Sequence, residues 1–149
     1  MFGRIVVALF AVAGFAVAAE DKPDTVEAVY KKLQGTWTFE SQEMGGMKVP
    51  ADELKKRSLV FEGDKFAVKE GDKVLQAGTH KPDPAKKTVD ATVTEGMGKG
   101  TVMLGLYELD GDTLKVCFDA TGKARPTEFK APEKSETFFN VHKRVKKEK

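Results

Sequence analysis

The chain has 149 residues, 40% of them apolar and 32% charged, a composition typical of one domain with a hydrophobic core. Its 25 basic and 23 acidic residues give a formal net charge of only +2, which excludes a strong general attraction to nucleic acid or to an anionic membrane. Cys117 is the only cysteine, so the chain has no intramolecular disulfide and must be held together by its core.

Residues 1–19 have the layout of a secretory signal peptide. Arg4 supplies the positive charge, residues 5–17 are apolar or small, and residues 16–19 offer a cleavage site before Glu20. The apolar run is shorter than the roughly 20 residues that a membrane-spanning helix needs. We therefore predict export to the periplasm or the cell exterior. Residues 20–149 would then form a single domain that is not inserted in the membrane after cleavage.

The exported chain is predicted to begin with a short amphipathic helix. Asp24 is the expected N-cap, with Glu27 three residues later, and Gly35 is expected to end the helix. Its apolar residues recur with helical spacing at Val26, Val29, Tyr30 and Leu33. Because a helix of about two turns is unstable alone, this face must dock on the rest of the domain.

From Thr36 onward the apolar pattern alternates with a period of two, which indicates strands with one buried face. Trp37, Phe39 and Ser41 are expected to point inward, and residues 50–56 to form a short helix. Two-residue loops at 63–64 and 71–72 then predict the strand register. The predicted pairs are Leu59 with Val68, Phe61 with Phe66, Val68 with Leu75, and Phe66 with Ala77.

In the second half of the chain, residues 82–84 are predicted to form a turn and residues 96–100 a loop. A turn at 110–111 would pair Tyr107 with Leu114, Gly105 with Val116, and Met103 with Phe118. Leu104, Leu106 and Cys117 would then face outward, either beneath the N-terminal helix or as an exposed apolar patch. A long connection at 121–135 precedes the last strand.

About eight strands follow one another with no segment long enough for a helical crossover. The predicted fold is therefore all-β, an eight-stranded antiparallel up-and-down barrel with a short N-terminal helix and a core at residues 33–144. A two-sheet sandwich is the alternative architecture.

These features resemble the lipocalin-type barrel, in which a Gly-x-Trp motif lies at the closed end and an arginine of the last strand covers the indole. Gly35 and Trp37 match the motif, and Arg144 matches the arginine, with Lys143 as the alternative. The sequence is more closely similar, over residues 33–144, to an uncharacterised lipocalin-like domain family abundant in planctomycete bacteria. The matching stretches are residues 33–37, 61–66, 94–96, 104–114 and 125–129. This resemblance implies no catalytic residues.

Signatures of chemistry are missing from the sequence. His80 and His142 are the only histidines, and neither has a second ligand at metal-binding spacing. Residues 96–101 lack the spacing of a phosphate-binding loop, and no serine has the setting of a nucleophile elbow. We therefore predict a protein that is not an enzyme, with no cofactor and no metal.

The predicted function is binding of a small apolar or amphipathic ligand in the barrel mouth by a monomer. The candidate ligand-binding residues are those expected to line the interior: Phe39, Phe61, Phe66, Val68, Tyr107 and Phe118. The same residues would also suit a filled core. The alternative is therefore a solid barrel in the cell envelope that binds a protein partner through its outer face and its basic C-terminal tail.

Overall fold

A computed structural model describes residues 23–146, in which two short helices and nine strands follow one another. The elements are α1 (Val26–Leu33), β1 (Gly35–Met44), β2 (Met47–Lys48), α2 (Ala51–Leu54), β3 (Arg57–Glu62), β4 (Lys65–Glu70), β5 (Lys73–Asp83), β6 (Thr88–Gly96), β7 (Val102–Asp110), β8 (Thr113–Asp119) and β9 (Thr137–Arg144).

Eight of these strands, all except β2, form a closed antiparallel barrel. Each strand pairs with the next along the chain, and β9 returns to pair with β1. The predicted eight-stranded up-and-down barrel with a preceding helix is therefore confirmed, and the sandwich alternative is wrong because the β1–β9 pairing leaves one continuous sheet. Strand β2 adds only a two-residue hairpin to the end of β1. The predicted signal peptide lies outside the described residues. Within residues 23–146, neither helix has the length and apolar character needed to cross a bilayer.

Helix α1 closes one end of the barrel. Its N-cap is Thr25, whose side chain accepts a hydrogen bond from the Ala28 amide, so the prediction of Asp24 was wrong. Asp24 instead forms an ion pair with Lys32 at 2.6 Å, which ties the start of the helix to its last turn. Gly35 follows with a φ of +113°, in open space. Glycine is needed here because the chain turns into β1 through a positive φ.

The predicted pairing of β3 with β4 is confirmed, since Leu59 lies opposite Val68 and Phe61 opposite Phe66. The predicted pairing of β4 with β5 was wrong by one residue, because Leu75 is an extra residue in a β-bulge. Val68 lies opposite Gln76 and Phe66 opposite Gly78. One slipped residue exchanges the two faces of a strand. Ala77 therefore points outward, and the next inward positions on β5 fall to Gly78, His80 and Pro82.

A second bulge lies in β1, where Glu40 is the extra residue between the pairs Phe39–His142 and Ser41–Val141. Trp37 and Phe39 point inward as predicted, but Ser41 is exposed and Gln42 takes the next inward position. The turn predicted at 82–84 was also wrong. Strand β5 continues to Asp83, and the turn occupies residues 84–87.

The β7–β8 hairpin turns at residues 111–112, one residue later than predicted. Tyr107 consequently lies opposite Val116 and Gly105 opposite Phe118, a shift of two residues from the predicted pairs. The assignment of residues to faces is unchanged because side chains alternate with a period of two. A β-carbon on Gly105 would lie 2.5 Å from the Phe118 ring, so glycine allows this ring to pack against β7.

The outer face of β7, β8 and β9 is covered by the long connection at 120–136. The Cys117 thiol donates to the Lys130 carbonyl at 3.4 Å, and the Phe129 and Phe139 rings lie 5.9 Å apart. Arg125 reaches the Gly105 carbonyl at 2.8 Å. Neither predicted environment for Leu104, Leu106 and Cys117 is therefore correct: Cys117 is fully buried and both leucines are half-buried on the side that the connection covers.

Candidate functional site

The interior of the barrel is not filled by side chains, and it contains a cavity of about 520 Å³ that opens at one end. All six residues predicted to form the ligand site lie on its wall: Phe39, Phe61, Phe66, Val68, Tyr107 and Phe118. Other apolar residues complete the wall between the two ends of the barrel, among them Leu59, Val89, Ala91 and Met103. The six positions were predictable because inward residues of a barrel alternate along each strand.

The closed end is built on Trp37, which is fully buried and does not line the cavity. Its indole Nε1–H donates to the Leu33 carbonyl at 2.8 Å. The Arg144 guanidinium lies 4.4 Å from the centre of the indole ring and donates to the carbonyls of Gln34, at 2.9 Å, and Lys32. The contact expected from the lipocalin-type resemblance is therefore present, and the alternative Lys143 pairs instead with Thr38 at an exposed position.

These contacts give a physical role to the Gly-x-Trp segment. The carbonyl groups at the end of a helix have no partners within the helix. Here three successive carbonyls, those of Lys32, Leu33 and Gln34, are satisfied by two barrel residues, Trp37 and Arg144. The positive guanidinium also suits the negative end of the helix dipole. The segment therefore fastens α1 across the end of the barrel.

Two further contacts seal this end. The Tyr30 hydroxyl donates to the His80 carbonyl at 2.7 Å. The Gln34 side chain forms two hydrogen bonds with Gly63 in the β3–β4 turn, accepting from its amide at 2.8 Å and donating to its carbonyl at 3.1 Å. With Val29 and Leu33 buried beneath the helix, these residues close the floor of the cavity.

The opposite end is the mouth, and apolar side chains are exposed there. Met44 and Met97 line the cavity while remaining 48% and 71% exposed. Met47, opposite Met44 in the β1–β2 hairpin, is 75% exposed. These three methionines form the methionine rim of the mouth. Methionine is flexible and polarisable, and it is common at surfaces that adapt to an apolar partner.

Among residues 23–146, two charged side chains lie on the cavity wall, and both are near the mouth. Arg57 begins β3 directly after α2, and its Nη1 donates to the Gln42 side-chain oxygen at 3.0 Å. The Glu53 carboxylate lies 4.0 Å from Arg57 Nη2, and its side chain is mostly in solvent. The Arg57 Nε is buried and has no partner in the described part of the chain.

Buried polar groups without partners are concentrated in this cavity. Within residues 23–146, the buried polar side-chain atoms that lack a hydrogen bond belong to four residues, and all four line the cavity: Arg57, His80, Tyr107 and Asn140. Buried polar groups in native proteins nearly always have partners, which are often waters or ligands. Of these four, sequence reasoning named only Tyr107 as a site residue. Arg57 continues the confirmed alternation of Leu59 and Phe61 along β3, so the sequence alone could have shown that it faces inward. His80 required the corrected register of β5, and Asn140 required the pairing of β9 with β1.

Burial favours the uncharged forms of His80, His142 and Tyr107 at neutral pH. It lowers the pKa of His80 to about 4, against the opposing effect of the Asp64 carboxylate. It also lowers the pKa of His142 to about 4, and the Nδ1–H of this ring donates to the Thr38 carbonyl at 3.1 Å. Burial raises the pKa of Tyr107 to about 12. The interior is therefore apolar with neutral hydrogen-bonding groups, and the guanidinium on its wall lies near the mouth.

Residues 23–146 contain no cluster of three or more His, Cys, Asp or Glu side chains arranged to bind a metal ion. Burial raises the pKa of the Cys117 thiol, and the residue lies on the outer face away from the cavity. Comparisons of the chain with models of known protein families, with curated proteins and with solved structures find no match.

Proposed function

We propose that this chain is a non-enzymatic binding module that holds one small apolar or amphipathic molecule in the barrel cavity. The observation that carries the proposal is the open cavity of about 520 Å³ with a mainly apolar wall. Cavities of about 300–1,000 Å³ with apolar walls and a few polar groups are typical of small-molecule sites. A domain without a ligand would be more stable if larger side chains covered this wall, because apolar surface left in contact with water is unfavourable.

The two ends of the barrel support a single route of entry. Trp37, Arg144 and α1 seal the floor, whereas the methionine rim leaves apolar surface in solvent around the mouth. An apolar molecule can contact this rim before it enters, and its own apolar surface is removed from water as it does so. Ligand exchange is therefore proposed to occur at the mouth only.

Two further parts of the proposal rest on the sequence. Residues 1–19 support export to the periplasm or the cell exterior, where the domain would act as a monomer on a ligand of that compartment. The motif stretches support membership of the lipocalin-like planctomycete family. Sequencing the N-terminus of the protein recovered from a periplasmic extract tests export, and an N-terminus at Met1 would contradict it.

The alternative, a module that acts through its outer face, has less support. Leu104 and Leu106 are half-buried, and the long connection covers the neighbouring Cys117. Arg144, the arginine of the basic tail, is engaged with Trp37 and with the carbonyls at the end of α1. Within residues 23–146, the outer face offers no feature that favours a partner in the way that the cavity favours a ligand.

The experiment is a ligand screen with a variant that fills the cavity. A panel of long-chain acids, alcohols and sterol-like molecules is tested by thermal shift, and hits are measured by calorimetry. Trp37 fluorescence is a poor reporter because the indole lies below the cavity. Ala91→Phe places a ring in the cavity, so it should abolish binding of every hit while the barrel stays folded.

Ala67→Phe is the matched control, because Ala67 lies on β4 between inward-facing neighbours and points outward. This variant should bind as the unmodified protein does. Equal loss of binding in both variants, or hits that bind Ala91→Phe normally, would place the ligand outside the cavity and contradict the proposal.

A further inference from the structure

The polar atoms without partners are not spread evenly over the cavity. They form two groups, one near the closed end and one towards the mouth, with the aromatic and aliphatic wall between them. We name His80 and Tyr107 the floor pair, and Arg57, Asn140 and the neighbouring Gln42, whose side-chain oxygen accepts from Arg57, the mouth cluster. A molecule that satisfies both groups must carry a polar function at each end of an apolar body.

The floor pair is located by the turns next to it. The backbone amide of His80 donates to the Asp64 carbonyl in the β3–β4 turn at 2.8 Å. The backbone amide of Tyr107 donates to the Lys87 carbonyl in the β5–β6 turn at 3.1 Å. The first of these turns is the one that binds Gln34 at the end of α1, and both turns lie at the end of the barrel that α1 closes.

Both residues of the floor pair are more than nine-tenths buried, and each has a polar atom without a partner among the described residues, His80 Nε2 and the Tyr107 hydroxyl. His80 also borders a smaller pocket beneath α1, whereas Tyr107 lines the main cavity and not that pocket. A neutral imidazole nitrogen and a protonated phenol suit a group that can both donate and accept a hydrogen bond. Within residues 23–146, no lysine or arginine lines the cavity at this end, so a carboxylate placed here would be buried without a counter-charge.

The mouth cluster differs in charge. Arg57 uses Nη1 to bind Gln42, which leaves the edge formed by Nε and Nη2 without a close partner in residues 23–146; the nearest carboxylate there, Glu53, is 4.0 Å from Nη2. This edge of a guanidinium can bind a carboxylate through two parallel hydrogen bonds. Asn140 lies opposite Gln42 across the β1–β9 pair and adds a second polar side chain at the same level.

From this arrangement we propose that the ligand is an elongated molecule with an anionic group bound by Arg57 at the mouth, an apolar body, and a hydroxyl-type group bound by Tyr107 and His80 at the floor. The inference rests on the proposed function and names the ligand class for the same cavity. At about 30 Å³ for each water-sized group, 520 Å³ holds roughly 15–17 non-hydrogen atoms. This is about the size of a twelve-carbon chain with a polar group at each end.

The test compares three probes on the full exported chain by calorimetry at neutral pH, below their micelle concentrations. The probes are dodecanoic acid, ω-hydroxydodecanoic acid and dodecanol. We expect the ω-hydroxy acid to bind at least about tenfold more tightly than dodecanoic acid, because only the ω-hydroxy acid supplies a partner for the buried floor pair.

Two variants assign this preference to the residues named. Tyr107→Phe should reduce the advantage of the ω-hydroxy acid to less than about threefold while dodecanoic acid binds as before. Arg57→Gln should weaken both acids at least about tenfold and leave dodecanol within about twofold. If Tyr107→Phe fails to fold, His80→Leu replaces it, and the comparison of the two acids on the unmodified protein remains decisive.

The outcomes separate the two proposals. Equal affinities for dodecanoic acid and its ω-hydroxy derivative on the unmodified protein would mean that water satisfies the floor pair, and this inference would be wrong while the binding module stands. An ω-hydroxy preference that survives the floor-pair substitution would also overturn it. If no member of the wider ligand panel binds in the cavity, both proposals fail together.

Discussion

The two ends of the barrel differ in the hydrogen bonding of their polar groups and in the exposure of their apolar side chains. At the closed end, Trp37 and Arg144 supply donors to three successive carbonyls of α1, and the indole is completely buried. At the mouth, methionine side chains are exposed and the buried Arg57 Nε has no partner among the described residues. Buried polar groups stabilise a fold when all of them have hydrogen-bond partners. Polar groups without partners on the wall of a cavity can instead bind a ligand. We therefore expect substitutions of Trp37 and Arg144, which do not line the cavity, to change stability, and substitutions at the mouth to change binding.

The largest effect is expected from Trp37→Ala. Removing this fully buried ring leaves a large void and frees the Leu33 carbonyl, so the free energy of unfolding should fall by about 3–5 kcal/mol. Chemical denaturation monitored by circular dichroism measures it. A fall of less than about 1 kcal/mol in the free energy of unfolding would contradict the stabilising role assigned to the closed end.

Lowering the pH should destabilise the folded barrel through the buried rings of His142 and His80. Their folded pKa values, about 4, lie below the ordinary 6.5, so the unfolded chain binds more protons between these pH values. Stability is therefore complete above pH 6.5 and is lost as the pH falls towards 4. Each ring contributes at most about 3 kcal/mol.

Denaturation curves measured from pH 7.5 to 4 check this expectation. In His142→Gln the decline over this range should be smaller than in the unmodified protein. The carboxylates of Asp24 and Asp119 do not obscure the result, because their pKa values are lowered from 3.8 and their effect falls below this range. A free energy of unfolding that stays level down to pH 4 would show that the two rings are not buried in the neutral form.

Arg144→Ala is expected to have an intermediate effect, about 1–3 kcal/mol. The variant loses the contact with the Trp37 ring and leaves two carbonyls at the end of α1 without a donor. Its Asp112 contact, at 3.1 Å and half-exposed, contributes little. Arg144→Lys is the control, since it keeps the charge without the planar fork, and its loss should be partial. A loss as large as that of Trp37→Ala would mean that Arg144 does more than cover the indole and the end of α1.

The smallest effect on stability is expected from Met97→Ser. This side chain is 71% exposed, so the free energy of unfolding should stay within about 0.5 kcal/mol of the original value. The same variant should weaken binding of any cavity ligand by several-fold, because the methionine rim loses apolar contact area. Thermal unfolding and calorimetry on one preparation measure both. If Met97→Ser bound the ligand with unchanged affinity, the methionine rim would not be part of the binding site.

Much of the fold follows from local patterns in the sequence. The 63–64 loop and the alternation of apolar residues led to the correct pairing of Leu59 with Val68. The same alternation identified the six predicted wall residues. The predicted β7–β8 pairing was wrong by two residues, but a shift of two residues leaves each side chain on the same face. Bulges were the limit of this reasoning. Glu40 fits an unbroken alternation as an outward polar residue and Leu75 fits it as an inward apolar residue, so the local pattern does not show that either is the extra residue.

The sequence by itself determined the six wall residues, and its resemblance to the lipocalin-type barrel implied that Gly35, Trp37 and a basic residue of the last strand meet at one end. Only the tertiary structure decided that the barrel is hollow, because interior volume depends on strand tilt and stagger around the whole ring. It also decided that His80 and Asn140 face that space, since the orientation of His80 depends on the bulge at Leu75 and that of Asn140 on closure through the β1–β9 pair. Periodicity is a local property, whereas an empty space and its unpaired polar atoms arise only when all eight strands are assembled.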